Sequence, residues 1–367
     1  MLETDVVIIG AGIAGLRAAM KLSASGLNNI ILEANHSIGG RACSEPYITG
    51  GNFDVGCSYL HEGEINPFVS IARGHGFELG DGRRFSFENW NMSTKDGLMS
   101  PKERAAFWKQ WNEVIGLLKY RFTHKQNDLA LSSCLEEKSS FAGAFAYLMA
   151  GLNASDITEQ SLEDFLLSGS GLDFPVLAGL GSLVKKWVGG IKVELDCEVR
   201  KINWGGKSVN IETSKGVLKA KRVIVTASTG VLAKENIEFK PSLPNRYMDA
   251  IFSLRCGTLN KIGFRLKPSL ELGEMDGWHI KMPTSQNVRE DDESICAVDI
   301  VNSEKPQAVV FIGGSDGKIL ENLGKGAMGD HGVITLNSIF GSSFKKNILE
   351  IKTTAWANCR LTYGSYS

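Results

Sequence analysis

No run of about 18 apolar residues occurs anywhere in the chain, which argues against a membrane-spanning helix, a C-terminal tail anchor included. Neither sign of charge is in excess: 40 Lys and Arg stand against 41 Asp and Glu, for a formal net charge of -1. That balance gives no electrostatic reason to bind nucleic acid or an anionic membrane surface. The seven cysteines, at 43, 57, 134, 197, 256, 296 and 359, are odd in number, scattered, and free of any CxxC pair. Neither a disulfide framework nor a zinc or redox site follows, so no metal is expected and reduced thiols in a reducing compartment fit best. The apolar run Asp5-Val6-Val7-Ile8-Ile9 begins too early to leave room for a secretory leader, and a cytoplasmic location is expected. There is no internal repeat and no low-complexity tract. With 43% hydrophobic and 22% charged residues, what remains is a globular chain whose expected partner is a small molecule.

At 367 residues the chain has room for two cores. Residues 5 to 9 are a continuous apolar run ending in glycine, Ala14 to Ser25 have helical periodicity, and Asn29 to Glu33 form a second apolar run ending in an acid. This pattern predicts β-α-β. From about 80 to 184 longer helical stretches take over, Pro101 to Tyr120 and Ser140 to Leu152 among them, and suggest an inserted helical lobe. Short strand-like runs return at 192–195, 209–213 and 222–226, with Gly205-Gly206 and Lys215-Gly216 as turns. A second excursion, about 236 to 349, contains the strand-like Leu259–Leu266 and Ala308–Ile312.

The sequence Gly10-Ala11-Gly12-Ile13-Ala14-Gly15 is a G-x-G-x-x-G between a strand and a helix. Gly10 makes the turn, Gly12 admits a pyrophosphate to the helix N-terminus, and Gly15 lets helix and strand pack closely. Alone the motif is also compatible with a glycine-rich turn that binds nothing. Glu33, 18 residues beyond Gly15, ends the next strand where a carboxylate can accept from both hydroxyls of an adenosine ribose, and together they predict a dinucleotide site.

Glu33-Ala34-Asn35-His36-Ser37-Ile38-Gly39-Gly40-Arg41 resembles the E-A-x-x-x-x-G-G-R segment of the flavin amine oxidase family, and the resemblance implies FAD. Gly39 and Gly40 let the backbone pass a cofactor, and Arg41 offers a fork of donors to phosphate, unless it is a surface arginine. Asn35 and Ser37 depart from the family, which often has arginine there. Phe53-Asp54-Val55-Gly56-Cys57-Ser58-Tyr59-Leu60-His61 resembles its F-D-x-G-G-x-W-I-H segment, whose backbone lies along the isoalloxazine ring; this assigns Gly56, Cys57, Ser58 and Tyr59 to the cofactor, with Cys57 in place of a glycine. For His61 a structural hydrogen bond competes with a direct role. Leu195 to Ile202 looks like the strand whose valine backbone meets the adenine, mapping to Val199, and Lys221 to Leu232 resembles the family's return strand.

Gly257-Thr258-Leu259-Asn260-Lys261-Ile262-Gly263-Phe264 resembles the element whose lysine holds a water at flavin N5 and favours reoxidation by O2. The alternative for Lys261 is an edge-strand lysine pointing to solvent. Trp356 through Gly364-Ser365-Tyr366-Ser367 resembles the family's W…G-S-Y-S element, which places Trp356 at the cofactor and makes Tyr366 one wall of an aromatic cage for the amine. Ser365 stands where relatives with covalent flavin have cysteine, so a noncovalent FAD is implied. Relatives continue into a G-x-x-x-F-A-G-E strand and a final helix that are absent from these 367 residues, and weak retention of FAD by this chain is expected.

The implied architecture is α/β: a Rossmann-like, GR2-type FAD-binding domain from 1–80, 185–235 and 350–367, and an α+β substrate domain from 81–184 and 236–349. The implied reaction is hydride transfer from a small-molecule amine to flavin, giving imine, then carbonyl, with O2 reduced to hydrogen peroxide. Lys261 and Tyr366 would be its catalytic residues. Two rivals are a different flavin reaction, desaturation or isomerisation, on the same scaffold, and a chain that binds nucleotide without turnover.

Overall fold

Strand β1 (Leu2–Ile9) and strand β2 (Asn29–Leu32) lie parallel, joined by helix α1 (Ile13–Ala24). The computed structural model describes residues 2–84, 86–94, 96–124, 128–135, 140–169, 171–282 and 296–366; Ser367, the last residue of the C-terminal motif, lies outside them. Because side chains alternate along a strand, β1 serves two cores at once. Val6 and Ile8 pack with Leu16 and Ala19 of α1, whereas Val7 and Ile9 pack with Ile30, Leu32, Val199 and Ile211 on the opposite face. A strand buried on both faces reads as an unbroken apolar run, which is what residues 6 to 9 are.

These strands belong to a seven-stranded sheet ordered Glu238–Lys240, Val199–Asn203, Val209–Thr213, Gly216–Val225, β1, β2, Val193–Glu194. A second seven-stranded sheet runs Ile348–Thr353, Leu259–Leu266, Gln307–Gly313, Cys296–Val301, Gly277–Lys281, Asn91–Thr94, Gly97–Leu98. The chain is therefore a mixed α/β protein whose described residues form two seven-stranded sheets and two two-stranded ones. Helices Pro101–His124, Ser140–Asn153 and Leu162–Leu167 build a lobe over the second sheet, cored by Trp90, Phe107, Trp111, Phe145 and Leu148 together with Trp278 and Ile280 from that sheet.

Three segments lie elsewhere than the expected boundaries put them. Helix Leu180–Val188 crosses 184/185 and docks whole on the first core, its Leu183, Val184 and Trp187 lying with Leu16 and Ala19. Glu238–Lys240 pairs with Lys201–Asn203 in the first sheet, beyond the expected limit at 235. Ile348–Thr353 pairs antiparallel with Leu259–Leu266, so residues 350–353 are part of the second sheet, not the first. In each case the partner was set by packing between distant residues. Among the described residues no helix is long and apolar enough to cross a membrane, and Cys43, Cys57, Cys197, Cys256 and Cys359 are free thiols.

Candidate cofactor and substrate cavity

The register of the first sheet brings the carboxyl ends of three parallel strands to one edge: Ile9 lies opposite Leu32 on one side and Val225 on the other. Gly10, Glu33 and Thr226 follow directly, and Thr226 Oγ1 donates to the carbonyls of Ile9 and Gly10 at 2.8 and 3.2 Å. A Cβ on Gly15 would sit 2.0 Å from the Gly10 carbonyl oxygen, so only glycine allows this strand-to-helix turn to close. Over Gly12, by contrast, a Cβ would meet nothing within 4 Å. Gly12 caps α1 with no side-chain acceptor, so the first-turn N–H groups of a 12-residue helix face open space.

Glu33 is 9% exposed, and its carboxylate accepts from Ala11 N at 2.6 Å and Asn35 N at 2.8 Å. One side chain thereby ties the glycine loop to the end of β2. The second glycine pair arrives beside the first: Gly39 N donates to Ala11 O at 2.8 Å, and Gly40 has φ +58° with its Cα facing that of Gly12. Arg41 Nη1 reaches across the chain to the carbonyl of Ser365, at 2.7 Å. Gly56 lies so close to the Arg41 carbonyl that a Cβ would overlap it at 1.6 Å.

Lys261 sits on an interior strand, 6% exposed, so it does not blunt a sheet edge. Its ammonium donates to Asp54 O at 3.2 Å, to Ser58 Oγ at 2.7 Å and to Gly56 O, and lies 5.6 Å from the Phe311 ring centre. Burial pushes its pKa below the ordinary value, opposed chiefly by the nearby Asp54. An ammonium has three donors, and all three are met by the segment that lines the cavity. Tyr366 lies at the other side, 37% exposed; its hydroxyl donates to Leu152 O and its carbonyl accepts from Gly257 N at 2.7 Å. Trp356 Nε1 donates to Val55 O at 3.2 Å.

A single cavity of about 1150 Å³ collects these groups. It is lined by Gly10, Gly12, Ile13, Ala14, Glu33, Ala34, Gly39, Gly40, Arg41, Gly56, Cys57, Ser58, Tyr59, Val199, Lys261, Trp356 and Tyr366, and of the residues expected at the site only Gly15 lies behind the wall. The helix terminus and Glu33 mark one end. Toward Lys261 the lining is aromatic and aliphatic, with Trp90, Tyr147, Leu148, Trp278 and Phe311.

Two groups of site residues carried no signal in the motifs. Asn260, fully buried, donates to Glu321 at 2.7 Å and accepts from Thr354 Oγ1 and Trp356 N, while Glu321 also accepts from Ala357 N at 3.2 Å and Asn358 N at 2.6 Å. This network fixes the turn that carries Trp356; a polar residue beside Lys261 on an apolar strand was its one visible trace. Behind Tyr59, the hydroxyl donates to Asp299 at 2.8 Å, and Arg84 grips the same carboxylate at 2.8 and 3.0 Å.

The chain is thus a mixed α/β protein in which a helix N-terminus without a side-chain cap and the acid that follows β2 open on one large cavity. The family model described as flavin containing amine oxidoreductase matches residues 13–367, and the chain belongs to that family. It is 27% identical to lysine-specific histone demethylase 1 homolog 1 of Oryza sativa subsp. japonica, over 99% of this chain and 46% of that protein. It is also 27% identical to protein FLOWERING LOCUS D of Arabidopsis thaliana, over 71% of this chain and 35% of that protein, and 24% identical to lysine-specific histone demethylase 2 of Homo sapiens, over 71% and 34%. The chain thus spans about a third to a half of the length of these relatives.

Proposed function

We propose that the cavity binds FAD noncovalently on a Rossmann-like, GR2-type domain and that the chain oxidises a small amine, with O2 as acceptor and hydrogen peroxide as product. The observation that carries this reading is the convergence of the expected residues, from Gly10 to Tyr366, on one continuous cavity.

The residues present fit the cofactor. The open space over Gly12 and the uncapped first turn of α1 suit a pyrophosphate, which the positive end of the helix would attract. Each Glu33 oxygen accepts a single backbone hydrogen bond and keeps lone-pair capacity for a ribose hydroxyl. Arg41 spends one of its five donors on Ser365 O, leaving the others for phosphate oxygens. Ser365 Oγ accepts from Leu259 N at 2.9 Å and donates to Gly257 O at 3.1 Å, so it is a structural group with no thiol to attach a flavin.

When bound, the flavin supplies the two-electron acceptor for a hydride from the carbon bearing the amine nitrogen. Around it, Lys261 places a positive charge in a water-poor wall where negative charge accumulates on reduction. Tyr366, Trp278 and Phe311 exclude water and orient the amine by its apolar body.

Titrating the purified protein with FAD and following flavin fluorescence, then assaying amine-dependent peroxide across primary amines, polyamines, amino acids and methyl-lysine peptides, tests both halves of the reading. Stoichiometric FAD binding with peroxide from at least one amine class supports it. Failure to bind FAD, or a bound flavin that no amine reduces, would sink it.

A further inference from the structure

His61 ends the segment that lines the cavity, and 112 residues further on the fold supplies the partner its sequence neighbourhood lacks. His61 Nδ1 lies 2.8 Å from Asp173 Oδ1. The imidazole side chain is 65% exposed and the carboxylate 15%. His61 itself lines the cavity. Its ring is 6.1 Å from Tyr59, Tyr59 is 6.4 Å from Trp278, Trp278 is 5.0 Å from Phe311, and Phe311 underlies the Lys261 ammonium. The pair is thereby linked, ring by ring, to the wall that holds Lys261.

From this arrangement, and resting on the amine-oxidase reading above, we infer that His61, oriented by Asp173, is the base that takes the proton from an ammonium substrate as it enters. The chemistry needs such a step, because a protonated amine has no lone pair to stabilise the carbon that gives up hydride, and most of an ordinary alkylamine is protonated near neutral pH. Asp173 accepts from Nδ1–H, which fixes the tautomer that leaves the Nε2 lone pair free, and it stabilises the imidazolium that forms. One N–H bond of the ammonium breaks, its electron pair stays on nitrogen, and the proton forms a new bond at Nε2. No electron moves. The exposed ring then returns the proton to water.

Four other charged groups near the pair are placed against different neighbours. The Glu62 carboxylate lies over Gly169, and Glu64 accepts from Leu172 N at 3.0 Å. Arg73 of helix Pro67–Gly74 lies over the Phe174 ring, 5.9 Å from its centre. Asp81 accepts from Arg83 N beside Gly82, whose carbonyl receives Asp173 N. Asp173 is thus the carboxylate placed on the imidazole, acting as a positioning residue for His61.

The test uses FAD-loaded protein, wild type, His61→Gln and Asp173→Asn, with anaerobic flavin reduction measured from pH 6 to 9. Two amines of one skeleton are compared: a primary alkylamine, and its β-fluorinated analogue whose ammonium ionises near neutrality. With the alkylamine at pH 7, His61→Gln should lower kcat/KM about 100-fold and Asp173→Asn by less, both converging on wild type as pH rises. With the fluorinated amine the variants should match wild type, because no proton need be removed. Equal losses on both amines would mean a structural role and overturn the inference, as would no loss on either. A second readout needs no turnover: nitrogen-15 NMR of His61 should show the Nδ1-protonated tautomer, with Nε2 shifting toward the protonated form when an ammonium lacking an α-hydrogen is added. If wild type is reduced by neither amine, the oxidase reading falls, and an Nε2 that also ignores that ammonium removes the base as well.

Discussion

Lys261 Nζ donates to Ser58 Oγ at 2.7 Å, joining the second sheet to a loop 203 residues earlier in the chain. The same ammonium holds the carbonyls of Asp54 and Gly56, so a cation buried in this wall also fixes the wall's shape. Charge placement and backbone placement are thereby one device, and removing the lysine should disturb both.

Lys261→Met is expected to cost about 1–3 kcal/mol of stability, because the Asp54 and Gly56 carbonyls and the Ser58 hydroxyl lose a buried donor. Urea denaturation measures it. In protein that turns over, reoxidation by O2 should slow more than anaerobic reduction, and equal slowing would count against a role at the oxygen step. A pH dependence follows as well. Burial lowers the folded-state pKa below the ordinary 10.5, so the unfolded chain binds more protons between those two values. Stability of wild type relative to Lys261→Met should therefore rise with pH across that window; a flat difference would show that the ammonium is not destabilised by burial.

Glu33 offers a graded test at the other end. Glu33→Ala removes the acceptor of Ala11 N and Asn35 N as well as the proposed ribose ligand, and should weaken FAD binding by about 1–3 kcal/mol. Glu33→Gln keeps one oxygen and turns an NH2 toward a backbone donor, so it should lie between alanine and wild type. Fluorescence titration with FAD measures the series. A folded Glu33→Ala protein with unchanged affinity would remove Glu33 from the cofactor site.

What the sequence disclosed and what it hid divide along sequence separation. Gly10, Gly15 and Gly40 were legible because a backbone that closes on itself within a few residues tolerates no Cβ, and Glu33 because it directly follows the short strand β2. The apolar run at Leu259–Leu266 gave a strand, but nothing in it showed that Ile348–Thr353 would pair with it and carry residues 350–353 into the second sheet. Leu180–Val188 is an amphipathic helix across the expected 184/185 boundary, and a period of 3.6 does not say which core its apolar face will find. His61 and Asp173, like Arg41 and Ser365, meet only after folding. The site was legible where its chemistry is local and hidden where it depends on tertiary pairing.

Trp111 separates lobe packing from cavity chemistry. It is buried among Phe87, Phe107, Phe141 and Phe145 and does not line the cavity, so Trp111→Ala should destabilise by about 3–5 kcal/mol through the space it leaves. FAD affinity measured below the shifted melting transition should be little changed. A marked loss of FAD with little loss of stability would mean that the lobe positions the cofactor end as well.

Glu321 makes the sharpest case for the network that no motif announced. Its two oxygens receive the Asn260 amide and the backbone N–H groups of Ala357 and Asn358, and Asn260 in turn accepts from Trp356 N. The bonds of Asn260 are buried and those to Ala357 and Asn358 partly so, and an unmet buried donor costs about 1–3 kcal/mol. Glu321→Gln keeps the shape but presents an NH2 to at least one of those donors, so it should destabilise by about that amount; Glu321→Leu, which strands all three, should cost more. The turn that would loosen carries Trp356, whose indole donates to Val55 O in the loop that Lys261 grips, so the damage should spread to the cavity. Hydrogen exchange at Trp356, Ala357 and Asn358 should quicken in Glu321→Gln while β1, on the far sheet, keeps its protection. A uniform change across both sheets would instead mean that Glu321 supports global stability alone and does not position the Trp356 turn.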